Sequence, residues 1–229
     1  MSDAATPGPG FFGKVRTYGD FVSRRLPVDF LTPWDRSLQE GMLFAQRQFG
    51  AQWLPVYLNA PVWCFAVGAQ VCGASAWAGV LMPGVDRVGR YFPFTIAASL
   101  ERVDAAKWIG SAQAWYDAIT RLARSTLAAD FVLERFDAEL GALELDDGGP
   151  EAMPWRLETA DASAVSSPTF AELLVTCMTP GSSGWWSEGS VAVPASLRIG
   201  RGLPDAPRFT ALLDAAAPGW QTAIPLIAR

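Results

Sequence analysis

Two carboxylates, Asp20 and Asp86, sit among cations that could tune or neutralise them: Lys14, Arg24 and Arg25 near the first, Arg87 and Arg90 beside the second. A carboxylate pair can do acid–base work, but neither a nucleophile nor a set of metal ligands accompanies this one. The chain of 229 residues contains no histidine, which removes imidazole catalysis, Ser-His-Asp and Cys-His pairs, and nearly every zinc or non-haem iron site. Cys64, Cys72 and Cys177 lack metal-ligand spacing, and the first two read as small core residues of a reduced protein. The expectation is therefore no catalytic residue, no metal and no cofactor.

Three clusters could carry function instead. The first is Gly10-Phe11-Phe12-Gly13-Lys14, continuing through Gly19-Asp20-Phe21 to Arg24-Arg25. Its Gly-Lys pair invites a phosphate-loop reading, but no strand precedes it and no Ser or Thr follows Lys14. The alternative is a Gly-bent strand or arm that lays Phe11, Phe12 and Phe21 on the core with the basic residues at the rim. The second runs from Pro83 to Pro93, where Pro and two glycines mark a turn between strands. There Asp86 with Arg90, or Asp20 with Arg87, can form ion pairs that fix the connection, or the same charges can face a partner. The third is Trp185-Trp186-Ser187-Glu188-Gly189, either core packing or an exposed aromatic anchor.

The elements that must position these residues follow from hydrophobic patterning. From Gln48 to Val85 there is no Asp, Glu, Lys or Arg, so this stretch must be buried in a core or a membrane. Pro55, Asn59, Pro61, Gly68, Gln70, Gly73 and Pro83 cut every window short of the roughly 20 apolar residues a spanning helix needs. The runs left between the breaks, at 62–67 and 77–82, with a third at 94–100, predict strands buried on both faces of a sheet.

Helices flank them. Thr32-Pro33-Trp34-Asp35 offers an N-cap for a helix whose apolar residues Trp34, Leu38, Met42, Ala45 and Phe49 end at Gly50. A long second helix fits 103–128, a shorter one 131–140, and others 168–178 and 207–215, with short strands at Trp185-Trp186 and 196–199. The segment from Asp146 to Ser167 reads as a mobile loop in a single domain. Ten acidic residues against Arg135 and Arg156 lie between Asp130 and Asp161, a solvated face or one for a basic partner. A net charge of -5 argues against a nucleic-acid partner. The N-terminus shows no basic then apolar leader, which predicts a cytoplasmic protein.

Gly10-Phe11-Phe12-Gly13-Lys14, Gly19-Asp20-Phe21-Val22, Pro33-Trp34-Asp35 and Leu38-Gln39-Glu40-Gly41 resemble the TagF family (also called ImpM) of type VI secretion-associated proteins. Gly79-Val80-Leu81-Met82-Pro83, the run from Val85 to Pro93, Trp185-Trp186 and Arg201-Gly202-Leu203-Pro204 continue the resemblance over nearly the whole chain. The resemblance implies an α/β fold, a three-layer (αβα) sandwich with a mixed, largely antiparallel central sheet. It implies a non-enzymatic, post-translational repressor that binds the forkhead-associated-domain scaffold protein of the secretion system, with recruitment to the membrane-bound apparatus as a further expectation. Lys14, Asp20, Arg24, Arg25, Asp86, Arg87 and Arg90 are the candidate contact residues, chosen by position and charge. Two alternatives stay open: a small-ligand or nucleotide-binding module, and a structural subunit of the same assembly.

Overall fold

The computed structural model describes residues 8–145, 155–157 and 168–228. In chain order its elements are β1 (Gly10–Lys14), β2 (Phe21–Arg24), α1 (Val28–Phe49), α2 (Trp53–Leu58), β3 (Trp63–Val67), β4 (Trp77–Met82), β5 (Phe94–Ser99), α3 (Ala105–Ile109), α4 (Gln113–Ser125) and α5 (Leu133–Gly141). There follow β6 (Trp155–Leu157), α6 (Phe170–Cys177), β7 (Ser182–Ser187), β8 (Ser196–Arg201), α7 (Ala206–Leu213) and β9 (Thr222–Ala228). The strands form one sheet in the order β2-β1-β5-β4-β3-β7-β8-β9-β6. Each of its described pairings is antiparallel, where the resemblance implied a mixed, largely antiparallel sheet.

Alternation along each central strand feeds two cores. Trp63, Phe65, Val67, Trp77, Leu81 and Trp185 pack with α1, α2 and α7, whereas Ala66, Val80, Ile96 and Trp186 pack with α3 to α6. The charge-free stretch is thus apolar on both faces because both faces are covered, which makes a layered α/β/α sandwich. Trp185 and Trp186 are both buried, one in each core, so this pair is no exposed anchor. Between them and Ser183 lies Gly184, where a Cβ would meet the Cys177 Sγ at 2.4 Å; the absent side chain is what lets α6 seat on β7.

Several boundaries differ from the patterning. α1 begins at Val28 after Pro27, and Pro33 lies inside it rather than at its start. The apolar stripe extends one turn further back, since Phe30 packs on Trp34 at 5.0 Å and on Trp77 at 4.6 Å. That burial outweighs the hydrogen bond lost at Pro33. The expected long helix over 103–128 is two helices, α3 and α4, with Asp104 capping the first through the Lys107 N–H. Trp108, Ala112, Trp115 and Ile119 still share one core across the break. Most of the acidic loop expected over 146–167 lies outside the described residues; within it, Trp155–Leu157 pair with β9 as strand β6.

Candidate functional site

β1 and β4 both pair with β5 in antiparallel fashion, so they run in the same direction and leave the sheet at the same end. The β1–β2 turn (15–20) and the β4–β5 connection (83–93) therefore meet there. Asp86 holds the meeting point. Its Oδ1 accepts from the backbone N–H of Val88 at 3.0 Å and of Arg90 at 2.9 Å, closing a turn whose left-handed residue is Gly89 (φ 82°). Its Oδ2 accepts from Lys14 Nζ and from Arg90 Nε, each at 2.7 Å. The carboxylate has no solvent exposure, and only 7% of the Lys14 side chain is exposed.

Burial alone would raise the Asp86 carboxyl. The bonds from Lys14, Arg90 and Val88 outweigh it and hold the group well below the usual carboxylate range. A carboxylate held ionised by four donors has no spare lone pair directed at a substrate proton, which makes it a poor general base.

The two turns are joined twice more. The Arg87 N–H donates to the Tyr18 carbonyl at 2.8 Å, and Arg90 Nη2 donates to the Gly19 carbonyl. Phe21 covers Lys14, with the ammonium 5.0 Å from the ring centroid, and packs on Phe92 at 4.9 Å. From below, the Tyr57 hydroxyl of α2 donates to the Gly84 carbonyl at 3.0 Å and accepts from the Gly84 N–H at 2.8 Å. A Cβ at Gly84 would lie 2.4 Å from the Phe92 carbonyl and 2.6 Å from that of Lys14, so only glycine fits between them. Trp53 and Tyr57 also pack against Tyr91.

The remaining candidates have other neighbours. Arg25 donates to Asp137 of α5 at 2.5 Å and Arg24 lies 3.7 Å from it, so these two brace β2 against that helix. Asp20 is exposed and its Oδ1 accepts from the Phe21 N–H. Of the two ion pairs the sequence allows, Asp86 forms its pair with Arg90, while Asp20 and Arg87 do not pair among the described residues. Lys14 is not at the rim but buried, because it ends β1 directly beneath the Asp86 turn. The Gly10–Lys14 segment is a sheet strand followed by a turn and a second strand. It thus lacks the helix N-terminus that a phosphate loop requires.

Tyr57, Tyr18 and Asp137 were missed by sequence reasoning. Only Tyr57 carries a signal: a hydroxyl within a charge-free apolar stretch must find a buried partner. All three cysteines are inert by position, their thiols pushed up to about 12 by burial.

Residues 10–143 match the family model described as the TagF N-terminal domain, type VI secretion system-associated. That span is more than half of the chain and contains both turns of the site. The chain belongs to the TagF family. It is a type VI secretion system-associated protein. It is also similar to PA0076 from Pseudomonas aeruginosa PAO1, known from a crystal structure, with 36% sequence identity and a TM-score of 0.75. That likeness covers 92% of this chain and 96% of PA0076, and so extends past the family match through the Trp185-Trp186 strand to the C-terminal elements. No curated protein matches the chain. No helix among the described residues is long and apolar enough to cross a membrane.

Proposed function

We propose that this TagF-family chain represses type VI secretion after translation, by binding the forkhead-associated-domain scaffold protein of the system and without catalysing a reaction. The observation that carries this reading is the family match over residues 10–143. The geometry of the site supports contact rather than chemistry. Asp86 is saturated by internal donors, while Phe21, Arg24, Arg87, Val88 and Arg90 around it are exposed. Aromatic and arginine side chains on a rigid scaffold are the residues that anchor protein interfaces.

Deleting the gene and measuring effector secretion tests the direction of control. Increased secretion is the expected result; abolished secretion would make the chain an assembly component, and unchanged secretion would remove the regulatory role. Co-purification with the scaffold protein tests the partner. Arg90→Ala, which leaves Asp86 paired with Lys14, is the informative variant there, because loss of scaffold from a folded protein points to direct contact.

A further inference from the structure

We propose that the sheet end formed by the 15–20 and 86–90 turns docks an acidic segment of a protein partner, one that also places an apolar side chain on Phe21 and Val88. This deepens the scaffold-binding reading above and rests on it. The chain has a net charge of -5, yet residues 14–25 and 86–90 hold six cations, Lys14, Arg16, Arg24, Arg25, Arg87 and Arg90, against Asp20 and Asp86 in the same segments and Glu134 and Asp137 of α5 packed against them. This end keeps a positive excess on an acidic protein.

The cations are not equally available. Lys14 is used up on Asp86, and Arg24 and Arg25 share Asp137. Arg16 is exposed and its guanidinium donates to the Leu127 carbonyl. Arg87 is exposed and has no carboxylate partner among the described residues. Arg90 shares its one carboxylate with Lys14 and leaves 57% of its side chain in solvent. Three exposed arginines therefore surround two joined turns.

Apolar side chains stand among them: Phe21 is 43% exposed and Val88 65%. Leu127 and Val132, also exposed, flank the loop that Arg16 and Thr17 hold through backbone carbonyls. Because Asp86, Tyr57 and the Gly19 carbonyl already fix the backbone here, little ordering entropy is lost on docking. Guanidiniums beside partly exposed apolar groups select carboxylates next to an apolar anchor. A nucleic acid is disfavoured, since an extended polyanion would run on to the acidic residues that follow Asp130.

The test titrates the purified full chain with the purified forkhead-associated-domain scaffold protein at about 50 and about 300 mM salt, where screening differs strongly. Wild type should lose about tenfold in affinity at the higher salt. Arg87→Glu should lose at least about tenfold at the lower salt and show a flattened salt response. Arg87→Gln should fall between, and Arg47→Gln on the exposed face of α1 should match wild type, the three variants keeping the wild-type melting temperature. Equal binding by wild type, Arg87→Glu and Val88→Asp would overturn the docking face while leaving scaffold binding intact. Absence of wild-type binding at either salt would sink the scaffold reading and this inference with it. Self-association that Arg87→Glu abolishes, seen by sedimentation, would overturn it in favour of a second copy of the chain.

Discussion

Lys14 and Arg198 are both buried cations, 6% and 4% exposed, and they are satisfied by opposite means. Lys14 meets a carboxylate, Asp86, in a surface turn. Arg198 on β8 meets no carboxylate among the described residues: its guanidinium lies 4.9 Å from the Trp63 ring centroid and Nη1 donates to the Ala211 carbonyl. Trp63 Nε1 donates to the next carbonyl, Leu212, so ring and cation together cap the last turn of α7. Burial lowers Arg198 to about 10, still protonated at neutral pH, and its Nε has no hydrogen-bond partner among the described residues. The helix end asks only for donors, and an arginine with an incomplete set of bonds suffices. The turn asks for an anion that binds four donors at once, and every one of them then depends on that anion.

The contrast can be broken most forcefully at Asp86. Asp86→Ala leaves the Lys14 ammonium buried without a counter-charge, and urea unfolding should show a loss of about 3–5 kcal/mol. Acid should act in the same direction. A carboxyl depressed in the folded state stabilises fully above its ordinary value of 3.8, and that contribution is lost as the pH falls below it toward the folded-state value. Asp86→Asn should therefore show a flatter loss of stability below pH of about 4 than wild type does.

Tyr57→Phe removes the neutral brace of the same connection and strands the buried Gly84 N–H, for about 1–3 kcal/mol in the same unfolding experiment. Arg198→Met should cost least among the buried changes, within about 1 kcal/mol of wild type. Exchange of a buried cation for an apolar side chain of similar length is often neutral, and here one helix carbonyl loses a donor. Smaller still, Arg90→Ala should cost under about 1 kcal/mol, because the side chain is mostly in water and Asp86 keeps its other partners.

The sheet and the helical faces were legible because burial on both sides leaves a plain mark: strands at 63–67, 77–82 and 94–99 sit where charge-free runs lie between Gly and Pro. The start of α1 was not legible, since the Pro33 signal is local and the packing of Phe30 on Trp77 is not. β2 and β9 were missed because their registers with β1 and β8 are long-range or edge pairings with little periodicity of their own. At the site, the Asp86–Arg90 pair could be read from i,i+4 spacing across a Gly turn. Lys14 could not, because 72 residues separate it from Asp86 and only the antiparallel placement of β1 and β4 about β5 brings them together. Arg87 shows the reverse limit: adjacent to Asp86 in sequence, it is exposed while Asp86 is buried.

The central claim is that Asp86 serves the fold by neutralising Lys14, while its neighbours Arg87 and Arg90 serve the surface. The most direct measurement is the unfolding free energy of Asp86→Ala beside that of the double variant Lys14→Met/Asp86→Ala. If the loss in the single variant comes from a stranded ammonium, removing that ammonium should return a substantial part of it, at least about 1.5 kcal/mol. A double variant no more stable than Asp86→Ala alone would contradict the account.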